Sequence, residues 1–188
     1  MIFKTWRNKR KSREELFDEL YHRHASVFRG VCRRYAQSFS EADDILQEAY
    51  IKIYHNLNQL KDISSFEAWG KRIVINTALK QIRDTKKLQE VSIDQINFDV
   101  SDEEEQIVMS SMAELDISEL IVLMQDLPDG YRTILNLYAV EGYSHKEISE
   151  MLQIKEASSR SQYFKAKKAF QHILLEKATK KGYDKFAV

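Results

Sequence analysis

Apolar positions recur with a helical period along most of the chain. Leu16, Leu20, Val27, Phe28, Val31 and Tyr35 fall on one stripe of a helix predicted over residues 14–37, with Arg29, Arg33 and Arg34 off it. Ile45, Ala49, Ile53 and Leu57 repeat every four residues and predict a second helix over about 42–57, opened by Ser40 with Asp43. Ser64 and Glu67 have the spacing of a capping box, in which hydroxyl and carboxylate each satisfy a free backbone N–H of the other residue. A third helix is therefore predicted from about Ser65 to Arg83, with Phe66, Trp69, Ile73 and Ile82 inward. Periodicity weakens from about Thr85 to Met112, then resumes with Leu115, Leu120, Leu123 and Leu127. Pro128 lacks a donor that a first helical turn does not need, so a helix over about 128–141 follows, stopped by Gly142. Ser144 and Glu147 repeat the capping-box spacing and open a short helix, Ser144–Leu152. After a break at Gln153–Glu156 a longer helix runs from about Ala157 to Lys177.

Composition supports the same picture. One proline and five glycines in 188 residues supply too few turns for an all-β chain. The expected fold class is all-α: two small helical modules joined by an acidic linker, over residues 1–84, 85–112 and 113–188. No apolar run approaches the ~18 residues of a membrane span, so the chain is not expected to insert into a membrane. The opening MIFKTWRNKRKSREE has basic residues with no apolar stretch behind them, unlike a secretory signal, and the expected compartment is the cytoplasm. A lone cysteine, Cys32, excludes an internal disulfide framework and reads as a small buried hydrophobe.

Charge changes the picture, because a net charge of zero hides segregation. Residues 1–90 carry 18 Lys and Arg against 12 Asp and Glu, while residues 91–130 carry 11 acids and no Lys or Arg. Residues 131–188 are basic again, 11 against 6. Two basic modules around an acidic segment suit two polyanion-binding surfaces; the alternative is a single domain with solvated acidic and basic helices.

A short capped helix, a tight break and a longer basic helix are the parts of a helix-turn-helix. Ile148 and Leu152 point inward, Ile154 plugs the turn, and the second helix presents Ser158, Arg160, Ser161, Gln162, Lys165, Lys167 and Lys168. Small hydrogen-bonding groups suit base edges and the cations suit phosphates; Arg160 can fork onto a guanine. Phe164 either packs on thymine methyls or belongs to the core. Read alone, the same residues also fit a helical hairpin with a basic face.

No catalytic residue, cofactor, metal or small-molecule substrate is expected. His22, His24, His55, His145 and His172 form no i, i+4 pair, and no phosphate-cradling glycine loop or G-x-S-x-G elbow occurs. The acidic run Asp102–Glu105 lacks the glycine and spacing of a calcium loop.

Several strings, in one order, resemble the extracytoplasmic-function (ECF) sigma factors of the sigma-70 family. They are Asp44-Ile45-Leu46-Gln47-Glu48-Ala49-Tyr50-Ile51-Lys52-Ile53-Tyr54; Phe66-Glu67-Ala68-Trp69 followed by Arg72-Ile73-Val74-Ile75-Asn76-Thr77-Ala78; Leu127-Pro128-Asp129-Gly130-Tyr131-Arg132; and Glu147-Ile148-Ser149-Glu150-Met151-Leu152. The resemblance implies a factor that takes core RNA polymerase to promoter DNA, with catalysis left to the polymerase. It implies that the first module docks on the clamp helices of the largest polymerase subunit through Asp44, Gln47 and Glu48. In the same module the Leu60–Ser65 loop and Asn76 would receive a flipped −10 base, with Arg72, Lys80 and Arg83 on the DNA. It implies −35 contacts from Ser158, Arg160, Ser161, Phe164 and Lys165 in the second module, and an anti-sigma factor as a further partner. The acidic linker would thread the polymerase channel; the alternative is a solubilising tether. The sequence departs from the family pattern at Gln153, where glycine is common, at Ser159, where a buried aliphatic residue is usual, and at Lys165, where arginine is frequent. The other readings of these residues are a stand-alone helix-turn-helix regulator, which predicts a symmetric dimer on a palindrome, and a protein adaptor without salt-dependent DNA binding.

Overall fold

The computed structural model describes residues 12–84 and 115–186, apart from the side chains at 117 and 180–186. The acidic linker at 85–112 lies outside the described residues. The chain divides into two compact units, Met1–Asp84 and Thr85–Val188, and the described parts of both are helical.

In the first unit α1 (Arg13–Tyr35), α2 (Phe39–Asn56) and α3 (Phe66–Asp84) each pack on the other two. A capping box starts α1: the Ser12 hydroxyl accepts from the Glu15 N–H at 3.1 Å, and the Glu15 carboxylate accepts from the Ser12 N–H at 2.8 Å. Leu20, Phe28, Val31, Cys32 and Tyr35 of α1 meet Ile45, Ala49 and Ile53 of α2 and Val74, Ile75, Ala78, Leu79 and Ile82 of α3 in the core. Val27, expected on the buried stripe, is 39% exposed. Phe28, Val31, Cys32 and Tyr35 define the centre of the stripe, and the residue before Phe28 is turned by ~100° away from it.

Two helix starts differ from expectation. Ser38, not Ser40, caps α2: its side chain accepts from the Glu41 N–H at 3.1 Å, while the Glu41 carboxylate takes the Gln37 N–H at 2.7 Å. Glutamate reaches one bond further than aspartate, which lets the helix begin three residues early. For α3 the predicted Ser64/Glu67 box is replaced by a 3₁₀ turn, Ile63–Ser65, in which Asp62 accepts from the Ser64 N–H at 3.0 Å. Glu67 instead approaches His24 of α1 at 3.3 Å. Gly70 is buried where α3 crosses α1, and a Cβ there would lie 2.5 Å from the Phe28 ring.

The second unit contains α4 (Ile117–Met124), α5 (Asp129–Leu135), α6 (His145–Leu152) and α7 (Glu156–Phe186). Asp116 and Glu119 form the capping box of α4. The helix predicted over 128–141 is present in two parts, because α5 widens into a π-helical turn at Asn136–Val140. Gly142 ends it at φ +76°, a value that suits glycine. Met124, Leu127, Tyr131 and Leu135 pack on Ala166 and Ala169 of α7, and Leu123 on Leu174. The expected box at Ser144 and Glu147 is formed, with the Ser144 N–H on the Glu147 carboxylate at 2.8 Å. Helix α7 continues past Lys177 to Phe186. The one glycine on the way, Gly182, costs only ~1 kcal/mol in a helix.

Candidate nucleic-acid and protein interfaces

Helices α6 and α7 and their connection form a closed helix-turn-helix. Gln153 takes up the left-handed conformation, φ 58° and ψ 41°, and its N–H and that of Ile154 both bond the Ser149 carbonyl. The turn thus has the geometry glycine would give it, held by a residue that pays ~1–2 kcal/mol to adopt it. The departure at Ser159 is absorbed differently. Ser159 is fully buried, and its hydroxyl lies 3.0 Å from Nδ1 of His145, the first residue of α6. A buried hydroxyl with a partner avoids most of the cost of losing water.

On α7, Ser158, Ser161 and Lys165 share one stripe at i, i+3, i+7, and Arg160 and Phe164 lie beside it at i, i+4. Arg160 is largely exposed and ion-paired with Glu156 of its own helix at 2.5 Å. The Ser161 hydroxyl donates to the Ser158 carbonyl at 3.2 Å, and Ser158 is half-buried. Phe164 is 59% exposed, with the Lys168 ammonium 5.0 Å from its ring centroid. That decides its placement: it belongs to the surface. Buried Arg132, from the Leu127–Arg132 string, anchors the scaffold beneath by pairing with Asp129 at 2.5 Å and donating to the Gln125 carbonyl at 3.2 Å.

In the first unit Arg72, Asn76, Lys80 and Arg83 fall at i, i+4, i+8, i+11 on a single stripe of α3, the first three exposed and Arg83 half-buried. Trp69, expected inward, is half-buried at the core edge against Phe66, with ring centroids 6.0 Å apart. The segment leading into α3 is exposed from Lys61 to Ser65, and hydrogen bonds from Ser64 hold the Asp62 carboxyl below its ordinary range.

The face of α2 exposes Asp44 and Gln47, while Glu48 is half-buried. Lys52 donates to Glu48 at 2.7 Å and to the Thr77 hydroxyl of α3 at 3.1 Å. The bond from Lys52 keeps the Glu48 carboxyl below its usual value, and the charge of Lys80 adds to the effect. Glu48 is therefore part of an α2–α3 tie rather than of a simple solvated patch. Beside it a cleft of about 570 Å³ has Phe17, Tyr21, Tyr50 and Tyr54 among its walls, with Gln47 and exposed Ile51 lining it too. The His145–Ser159 and Lys52–Thr77 bonds were not predicted from sequence, since each joins residues with no fixed spacing. Asp129 and Arg132 do have a legible i, i+3 spacing.

Among the described residues, an all-helical fold with a cationic helix-turn-helix in one unit and a cationic stripe in the other is the architecture of a two-module nucleic-acid-binding protein. Residues 20–88 match Sigma-70 region 2, and residues 117–170 match Sigma-70, region 4. RNA polymerase sigma factor SigZ of Bacillus subtilis is 33% identical over 135 residues, covering 72% of this chain and 73% of that one. The ECF RNA polymerase sigma-E factor of Haemophilus influenzae is 27% identical over 169 residues, covering 85% of this chain and 87% of that one. In fold, the chain is similar to the sigma factor RpoE crystallised with the anti-sigma factor NepR from Bartonella quintana, with a TM-score of 0.52 and 17% identity over 84% of this chain and 96% of that one. The chain belongs to the ECF group of the sigma-70 family, whose members direct RNA polymerase to promoters and initiate transcription there. A stand-alone helix-turn-helix regulator would have no use for a region 2 module and is not favoured. Among the described residues no helix is long and apolar enough to cross a membrane.

Proposed function

We propose that the second unit reads −35 DNA through Ser158, Arg160, Ser161, Phe164 and Lys165. The first unit docks on core polymerase through Asp44, Gln47 and Glu48, and binds the −10 element through Arg72, Asn76, Lys80 and Arg83. The observation that carries this reading is the outward face of α7, where a fork donor, hydroxyls, a cation and an exposed ring stand beyond a closed helix-turn-helix. On α3 the stripe pairs three cations with one amide, which suits phosphates on either side of an unstacked base. In this reading phosphodiester chemistry stays with the polymerase, in the cytoplasm. Tethering makes one tight site of several weak ones, because the linker holds the second module at high effective concentration once the first is bound. An anti-sigma factor is the further partner in this reading, supported by the fold shared with a sigma factor crystallised in such a complex.

Promoter selection by reconstituted holoenzyme tests both faces. Arg160→Ala should lose about 1–3 kcal/mol of −35 discrimination while keeping polymerase affinity; an unchanged −35 preference would refute the assignment. Asp44→Lys with Gln47→Ala should weaken polymerase binding in a chain that still folds, since both side chains are exposed. Unaltered binding would remove α2 as the docking face.

A further inference from the structure

Three elements of the second unit converge on the start of the recognition helix. Tyr138 comes from the π-helical turn, His145 from the first position of α6, and Ser159 and Tyr163 from α7. The Tyr138 and His145 rings stack with centroids 4.3 Å apart and planes 13° apart. Tyr163 approaches both, at 4.4 Å from Tyr138 and 5.8 Å from His145. Nδ1 of His145 meets the buried Ser159 hydroxyl at 3.0 Å. Wide turns of this kind reorient a side chain that a regular helix would carry elsewhere, and here the turn presents Tyr138 to the imidazole.

We propose that His145 and Ser159, enclosed by Tyr138 and Tyr163, are positioning residues that set the pose of the recognition helix, and that protonation of His145 loosens −35 recognition. This rests on the −35 reading above. Ser159 is next to Arg160 and one residue from Ser158 and Ser161, so the bond fixes the first turns of the reading face about the helix axis. With the imidazole neutral and its proton on Nε2, the Ser159 hydroxyl donates to Nδ1. A second proton occupies Nδ1, so the bond must reverse: the imidazolium donates, and the Ser159 hydroxyl has to rotate to accept and redirect its own proton within the buried site. Protonation also places a cation beside the Arg160 guanidinium, with Glu156 as the opposing charge; the other titratable groups facing the ring are Tyr138 and Tyr163. Burial, and then Arg160, hold His145 below its ordinary value, so the neutral ring is the form the fold selects. The sign follows: the clasp in its neutral form is intact above the ordinary histidine range of about 6.5, and it gives way to the reversed, cationic form as pH falls through the lowered value.

The test uses the full chain assembled with core polymerase and measures the affinity ratio for promoters with intact and scrambled −35 elements between about pH 7.5 and pH 5.5. We expect the wild-type ratio to fall roughly three- to tenfold over that range, and the His145→Gln ratio to stay flat, because glutamine can accept from Ser159 but does not titrate. Ser159→Ala should lower the ratio at neutral pH with helix content unchanged. His145→Phe with Ser159→Ala removes both partners and should recover most of the ratio without pH dependence. Equal acid slopes in wild type and His145→Gln, with a normal −35 preference at neutral pH, would overturn the clasp alone. Absence of any −35 preference in wild type at neutral pH would overturn the −35 reading and the clasp together.

Discussion

Adding one methyl group to either of two helical glycines should move stability in opposite directions. At Gly70 of α3 a Cβ would lie 2.5 Å from Cζ and 2.9 Å from Cε2 of Phe28, well inside van der Waals contact. The ring has no room to retreat, being fully buried with the rings of His24, Tyr50 and Phe66 each at 6.0 Å. Alanine gains about 1 kcal/mol of helix propensity over glycine. Overpacking a filled core costs about 1–3 kcal/mol, and a contact this short belongs at the upper end. The net effect of Gly70→Ala is therefore a loss of about 1–2 kcal/mol. At Gly30 of α1 a Cβ meets nothing within 4 Å, so Gly30→Ala keeps only the gain, about 0.5–1 kcal/mol. Urea titration followed by Trp69 emission, in a Trp6→Phe background, reports on the first unit. With a slope of about 1–2 kcal/mol per molar, the Gly70 variant should unfold roughly 1 M earlier and the Gly30 variant slightly later than the parent. A Gly70→Ala protein as stable as the parent would show that α1 and α3 separate without penalty. The close crossing would then not fix the stripe that carries Arg72 and Asn76, two and six residues further along α3.

Two further outcomes can be checked directly. Gln153→Gly should stabilise the second unit by about 0.5–1 kcal/mol, since it removes a left-handed non-glycine residue at some cost in chain entropy; thermal unfolding that falls in temperature would contradict the strain. Cys32 is fully buried and burial pushes its thiol up to about 12, so an aromatic disulfide reagent at mildly alkaline pH should modify it at least ~10³-fold more slowly in the native chain than in urea. Stoichiometric labelling within seconds in native buffer would show that the three-helix core opens far more readily than its packing implies.

Much of this architecture is legible in the sequence because helices advertise themselves locally. Ile45, Ala49, Ile53 and Leu57 repeat at one spacing and are all buried. Ser144 and Glu147 form the cap their separation requires. Where a local rule has two solutions the sequence is less decisive: Ser38 with Glu41 and Ser40 with Asp43 both spell a helix start, and only the folded chain shows the first in use. The π-helical turn at Asn136–Val140 leaves no periodic signature, because one extra residue per turn over five residues barely shifts a hydrophobic stripe. The same holds for the candidate sites. Arg160 is legible as a polar position on the outward face of a basic helix, whereas Asp44 and Asn76 enter the candidate sites through the family resemblance. The contacts that position them are not legible, since Lys52 meets Thr77 and His145 meets Ser159 only after separate helices pack.

If Arg160 reads a −35 base as proposed, its ion pair with Glu156 makes specific recognition an exchange. A guanidinium already satisfied by a carboxylate four residues back must leave it to reach a base edge, giving up about 0.3–0.5 kcal/mol for an exposed helical pair. A guanine that offers two acceptors outbids the carboxylate, whereas a mismatched base or a lone phosphate offers less reason to switch. On that reading the guanidinium stays occupied at home while the second unit scans unrelated DNA, and the cost of freeing it falls on every sequence but is repaid at few. An internal competitor of this kind trades a little affinity everywhere for a steeper difference between right and wrong sites, which matters to a factor that must choose a few promoters from a whole genome.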